Sequence, residues 1–228
     1  MSESKCIIHH VEQGTKEWLQ VRAGIPTASE FDAIITPLWK PRTGDGVDTY
    51  LAKKLAERWT GYPLVTFSGG AMDQGKLKEE EAIPQYAFIN DVEIDRVGFV
   101  TTADGKIGCS PDGLIGEDGG IEFKAPEPHT HVGYLMRGTL PKDYAAQVHG
   151  AMLVTDRPWW RFVSYCRGFP TFDMLVERDE EIISKMREAI DAFNVRLDEA
   201  FEKLTKLDQE TPSLKSRPPL DLEMATIL

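Results

Sequence analysis

The sequence predicts an α/β (α+β mixed) fold, with a central mixed β-sheet flanked by helices. The first reason is element order. From residue 72 onward, apolar periodicity gives one helix, three strands, a helix, two strands and a long helix, an alternation that favours a mixed sheet covered by helices. The second is sufficiency of the core. At 228 residues, with 41% hydrophobic and 9% aromatic residues, the chain can fill one sizeable domain. The third is turn chemistry, because the strand segments are bounded by Gly, Pro, Asp and Ser clusters.

Thr15 to Ala23 reads as a first helix, anchored by Trp18, Leu19 and Val21. Thr27-Ala-Ser-Glu30 has the form of a capping box opening a second helix through Ile35. Pro37 to Gly46 is a loop, and Asp48 to Thr60 a helix with Leu51, Leu55 and Trp59 on one face. Met72 to Phe88 is a fourth helix, kinked or ended by Pro84. Val92–Thr102 is extended, Lys106–Cys109 and Gly113–Ile115 flank a Ser-Pro-Asp-Gly turn, and Gly120–Ala125 is a short strand. Lys142–Thr155 is helical, Trp159–Cys166 and Thr171–Glu177 are paired strands, and Glu180–Leu207 is a long amphipathic helix. The expected organisation is a single domain over residues 1–207, with helices of 15–60 packed on a core of 69–207, and a tail over 208–228.

Composition excludes several classes. The net charge of −11 argues against a polybasic nucleic-acid binder, so any DNA-binding surface must be a local concentration of Arg and Lys. Residues 61–130 carry a net −8 and residues 131–170 a net +3. There is no run of apolar residues long enough to span a membrane and no apolar segment behind a basic start, so neither a membrane anchor nor a secretory leader is expected. Three cysteines without a Cys-x-x-Cys pair suggest a reducing, cytoplasmic setting.

The chemistry concentrates in Gly108-Cys-Ser-Pro-Asp-Gly113 and Gly120-Ile-Glu-Phe-Lys-Ala-Pro126. Asp112 sits on a turn, and Glu122 and Lys124 are two apart on a strand and face one side. An ordinary half-exposed edge strand would show the same alternation. The functional alternative is metal-dependent phosphodiester hydrolysis: two carboxylates suit a hard cation, and a neighbouring lysine can orient water or stabilise transition-state charge. Asp-x9-Glu-x-Lys is by itself a weak signal.

Further blocks stand around it. Ser-Pro-Asp-Gly, Gly-Ile-Glu-Phe-Lys-Ala-Pro and Tyr-Ala-Ala-Gln-Val-His, with Trp18-x3-Arg22-x-Gly-x-x-Thr27-Ala-Ser29 before them and Gly75-x3-Glu79 between, resemble the phage lambda exonuclease and YqaJ-type viral recombinase family. The resemblance spans residues 18 to about 154. It implies a PD-(D/E)xK restriction-endonuclease-like core. It also implies that Asp112, Glu122 and the Phe123 backbone carbonyl hold Mg²⁺ (Mn²⁺ as a substitute), with Lys124 catalytic and Glu79 completing the metal surroundings. Arg22, Ser29, Ser110 and Gln147, with Thr27, would bind the 5′-phosphate, and Lys40-Pro-Arg42 is similar to the family's DNA-contacting loop, in which Arg42 is the residue singled out. Taken alone, Arg22 would read as a surface ion pair, Thr27 and Ser29 as helix caps, and Gln147 as part of a polar helix face.

The implied activity is 5′→3′ digestion of one strand at linear double-stranded DNA ends to mononucleotides, leaving 3′ single-stranded tails for recombination. The implied assembly is a homotrimeric ring working with a single-strand annealing protein. Alternatives are a structure-specific or restriction-type endonuclease of the same superfamily, or a catalytically inactive DNA-end-binding protein. Trp159-Trp160 as a base-stacking platform, and His129, His131 and His149 as metal ligands, are weaker candidates than core packing. The tail, with Leu220, Leu222, Met224, Ile227 and Leu228, would pack on the protein or dock a partner.

Overall fold

Two small sheets meet on one buried helix. The computed structural model describes residues 6–64 and 82–210. Glu79 and all but the first residues of the tail therefore lie outside the described residues. The first sheet has the order β1-β2-β3, from Cys6–His9, Phe99–Thr102 and Gly108–Cys109, and is antiparallel throughout. The second has the order β4-β5-β6-β7, from Gly113–Ile115, Gly119–Lys124, Trp159–Ser164 and Phe172–Glu177. In it β5 and β6 run parallel and the other pairs antiparallel, so this sheet is mixed as expected.

Strand β5 lies between β4 and β6 and is buried along nearly its whole length, with Glu122 only 3% exposed. The edge-strand reading of Glu-x-Lys therefore fails. Gly119 and Gly120 pair with Trp159 and Trp160, whose indoles occupy the volume a Cβ would need. Trp160 is fully buried, which makes it core and not a stacking platform.

Helix α5 (Lys142–Thr155) matches its expected bounds and is buried on all sides from Val148 to Thr155, because it packs against both sheets and against α6. Helix α6 (Glu180–Glu210) buries Ile183, Met186, Ile190, Phe193 and Leu197 against α5 and α2 (Asp45–Thr60). Helix α1 (Lys16–Arg22) is capped by the Thr15 hydroxyl accepting the Trp18 N–H at 3.3 Å. Residues 82–90 form α3, whose Ile83 and Tyr86 cover Ile121, Phe123 and Val163 on one face of the second sheet.

Several local expectations need correction. The Thr27 segment is a 3-10 turn, Ala28–Ala33, rather than an α-helix. The capping box is not formed, because the Glu30 carboxylate is taken up by Lys53 and Lys54 and accepts the Thr27 hydroxyl at 3.4 Å instead of the Thr27 backbone N–H. Only Phe99–Thr102 of the extended 92–102 segment joins the first sheet; Asp95 makes one bridge to Leu114, and the Val11 carbonyl packs against Gly98 where a side chain would stand. Strand β1 and helix α4 (Pro128–Arg137) were not anticipated. Helix α4 is held by His131, whose ring nitrogens bond the Ser164 hydroxyl at 2.8 Å and the Pro170 carbonyl at 2.9 Å. His131 is thus a satisfied core residue and not a metal ligand.

Candidate active site

The turn between β3 and β4 carries Ser110 and Asp112. It is fastened from outside by Gln13, whose Nε2 donates to the Pro111 carbonyl at 2.9 Å and the Val97 carbonyl at 3.1 Å. From inside, the Phe123 N–H donates to Asp112 Oδ2 at 2.7 Å. Burial pushes the Asp112 carboxyl above its ordinary pKa, opposed by Lys124, by the Phe123 N–H and by Arg96.

On β5, alternation sends Phe123 to the α3 side, edge-on to Tyr86 with ring centroids 5.3 Å apart, and Glu122 to the other. Glu122 Oε1 accepts from Lys124 Nζ and from Gln147 Nε2 of α5, each at 2.5 Å. Lys124 Nζ also lies 5.3 Å from the Tyr144 ring centroid. Asp112, Glu122, Lys124 and Gln147 are therefore one connected group. Of the expected phosphate set, Gln147 here donates to the Glu122 carboxylate, while Arg22 and Ser110 bond each other.

The donor chemistry fits a hard divalent cation. Asp112, Glu122 and the backbone carbonyl of Phe123 supply oxygen alone, the ligand class Mg²⁺ prefers. Among the described residues no three acidic, histidine or cysteine side chains form a metal cluster, and Glu79, the remaining expected ligand, is outside them. Cys109 is buried beside this site and burial raises its thiol pKa, which suits a packed thiol and not a nucleophile.

A second group adjoins the first. Arg22 donates from Nη1 to the Ser110 hydroxyl at 2.5 Å and lies 4.2 Å from the Trp18 ring centroid. The Trp18 indole N–H reaches the same hydroxyl at 3.1 Å and the Gly98 carbonyl at 2.9 Å. Burial lowers the Arg22 pKa, countered by Glu30 among others. Among the described residues the partners of the Arg22 guanidinium are the Ser110 hydroxyl and the Trp18 ring, not a carboxylate. A cavity of about 230 Å³ opens here, lined by Trp18, Arg22, Ser29, Glu30, Lys53 and Lys54 among others. Thr27 is 1% exposed and lies beneath it, its hydroxyl 3.3 Å from that of Ser29. The segment is drawn in by a parallel bridge from Thr27 to Gly108.

Arg42 stands apart from both groups. Its Nε donates to the carbonyls of Asp32 and Ile35, folding the 37–44 loop back on the 3-10 turn. Sequence reasoning did not single out Trp18 as a partner of Ser110, Lys53 and Lys54 as cavity cations, or Tyr144 as the ring beside Lys124. Trp18 and Tyr144 stood within the recognised blocks, whereas the two lysines carried no signal beyond a basic pair on a helix.

No curated protein matches the chain. Among solved structures, an alkaline exonuclease from Laribacter hongkongensis, LHK-Exo, is 28% identical, with a TM-score of 0.76 over 86% of this chain and 99% of its own. LHK-Exo in complex with dAMP gives 29% identity and a TM-score of 0.77 over the same shares. A phage-related exonuclease from Haemophilus somnus 129PT shares the fold at 15% identity, with a TM-score of 0.61 over 79% of this chain and 96% of its own. The fold is thus of the PD-(D/E)xK exonuclease type. Residues 17–158, which carry α1, the cavity, the Ser110–Asp112 turn, β5 and α5, match the YqaJ-like viral recombinase domain, and the chain belongs to that family.

Proposed function

We propose that the protein is a metal-dependent 5′→3′ exonuclease that digests one strand of linear double-stranded DNA to mononucleotides. Its family and its likeness to alkaline exonucleases support the coarser statement, a nuclease of the phage exonuclease type. One observation carries the finer reading. Ser110, bound to Arg22, and Asp112, bound to the strand of Glu122, are two residues apart on one turn. Two residues span at most about 7 Å, so a terminal phosphate at Arg22 and Ser110 would leave the next phosphodiester beside the carboxylates. A fixed distance of that kind suits release of single nucleotides, and the relative LHK-Exo has been captured with one, dAMP.

In this reading Asp112, Glu122 and the Phe123 carbonyl hold Mg²⁺, or Mn²⁺ in its place, with Glu79 contributing. When bound, the metal polarises the scissile phosphoryl oxygen and lowers the pKa of water. Lys124, held on Glu122 and beside Tyr144, faces the reacting phosphate and stabilises its developing charge. Gln147 orients Glu122 by donating to Oε1. Arg22, Ser29 and Ser110 bind the 5′-phosphate over Thr27, and Arg42 lends positive charge to DNA outside the pocket. The 3′ single-stranded tail, a single-strand annealing partner and a ring-shaped homotrimer complete the proposal.

Purified protein incubated with Mg²⁺ and either linear or closed circular duplex tests it. Degradation of linear DNA alone, to mononucleotides, is expected. Cutting of circles would make it an endonuclease instead, and no metal-dependent cleavage of either would make it an end-binding protein.

A further inference from the structure

The cavity beside Ser110 contains more positive charge than Arg22 alone, and its lysines are not equivalent. Lys54 is 4% exposed and bonded on two sides, to Glu57 Oε2 and Glu30 Oε2, both at 3.0 Å. Glu57 is also buried and accepts the Gly24 and Leu64 N–H groups at 3.1 Å each. That inner set is closed. Lys53 sits one residue earlier on α2 with its side chain 32% exposed, and among the described residues its ion pair is with Glu30 Oε1 at 2.7 Å. Lys53 lines the same cavity as Arg22 and Ser29.

The charge of the expected ligand decides what Lys53 can do. A 5′-terminal phosphomonoester carries close to two negative charges near neutral pH, whereas an internal phosphodiester carries one and a 5′-hydroxyl none. Arg22 supplies one positive charge. The two carboxylates of the cavity are both held by Lys54, and Glu30 also accepts the Tyr50 hydroxyl at 3.3 Å, so Glu30 keeps partners if Lys53 leaves it. The ammonium is on a flexible stem at the cavity wall.

We propose that Lys53 is the specificity-determining cation of the end pocket: it exchanges Glu30 for the 5′-phosphate and is the second cation, beside Arg22, to contact a phosphomonoester. This rests on the proposed reading of the protein as a nuclease acting at DNA ends. Lys53 is a binding residue here and takes no part in bond cleavage.

The test measures initial rates from subsaturating to saturating DNA, on duplexes with a 5′-phosphate and with a 5′-hydroxyl, for the wild type, Lys53→Gln, Lys53→Arg and Lys185→Gln. Lys185 is an exposed residue of α6 paired with Glu181 and controls for loss of one positive charge. Lys53→Gln should reduce the phosphate-to-hydroxyl rate ratio by about tenfold, the scale of one charge-assisted hydrogen bond, through KM and not kcat. Lys53→Arg should retain most of the ratio, and Lys185→Gln all of it. An unchanged ratio in Lys53→Gln, in a wild type that prefers the phosphate, overturns the role of Lys53 and leaves the end-recognising nuclease intact. An equal fall in Lys185→Gln would reduce it to long-range charge. A wild type that cleaves both ends equally removes the 5′-phosphate pocket itself, and this proposal with it.

Discussion

Asp112 Oδ2 accepts the backbone N–H of Phe123 at 2.7 Å, so the turn bearing one carboxylate is tied to the strand bearing the other. The bond fixes Asp112 relative to Glu122 without using the Glu122 side chain, which is held separately by Lys124 and Gln147. The site is preorganised by two independent sets of hydrogen bonds.

That arrangement separates chemistry from stability. Asp112→Asn keeps an oxygen to accept the Phe123 N–H while removing the charge, so the melting temperature should change little. Its rate of Mg²⁺-dependent nucleotide release should fall by roughly 10²–10³, as should those of Glu122→Gln and Lys124→Ala. Asp112→Ala should additionally lose about 1–3 kcal/mol of stability, since it strands a buried N–H. Parallel thermal melts and single-turnover assays check this, and near-normal turnover of folded Lys124→Ala would mean that another group does its work.

Arg22 should matter most at a phosphorylated end. Arg22→Ala is expected to slow digestion of 5′-phosphorylated duplex and leave the 5′-hydroxyl duplex nearly as before, narrowing the gap between them. Initial rates on the two substrates provide the comparison. Equal slowing on both would assign Arg22 to holding the Ser110 turn in place.

Lys54 is a structural cation. Lys54→Ala would leave Glu57 buried at 2% exposure without its ammonium, a loss expected to cost about 3–5 kcal/mol. Urea denaturation of the variant measures it. A cost under about 1 kcal/mol would show that the Gly24 and Leu64 N–H groups alone satisfy Glu57.

Glu30 should make stability depend on acid. Burial would raise its pKa, but Lys54 and Lys53 outweigh burial and bring it to about 2, from an ordinary value of 4.5. A depressed carboxyl pKa means that the unfolded state binds the proton more readily, so this stabilisation is present above pH 4.5 and is lost as pH falls from there toward 2. Glu30→Gln should flatten that part of the stability curve, as read by chemical denaturation at a series of pH values. A curve of unchanged slope would show that other carboxyls dominate acid unfolding.

Periodicity located α5, α6 and the pair β6–β7 to within a few residues, because each buries a continuous apolar set at helical or strand spacing. It missed α4, whose Gly133 and two histidines carry little helical signal and which is held in place largely by His131 reaching Ser164 and Pro170. It misjudged 27–35, where Glu30 found cations on α2 more favourable than the backbone N–H that a capping box offers it.

The sequence by itself placed Asp112 on a turn and Glu122 and Lys124 on one side of a strand, since both are local properties of the chain, and the family resemblance joined the three into one set. It also determined the family, because the ordered blocks from Trp18 to Gln147 are legible without coordinates. Only the tertiary structure decided that β5 is a central strand, that Gln147 bonds Glu122 and not the Arg22 pair, and that Lys53 and Lys54 share a cavity with Arg22. These are contacts between segments some 25 to 40 residues apart, and they depend on where two sheets and α5 meet, which no local pattern of side chains encodes.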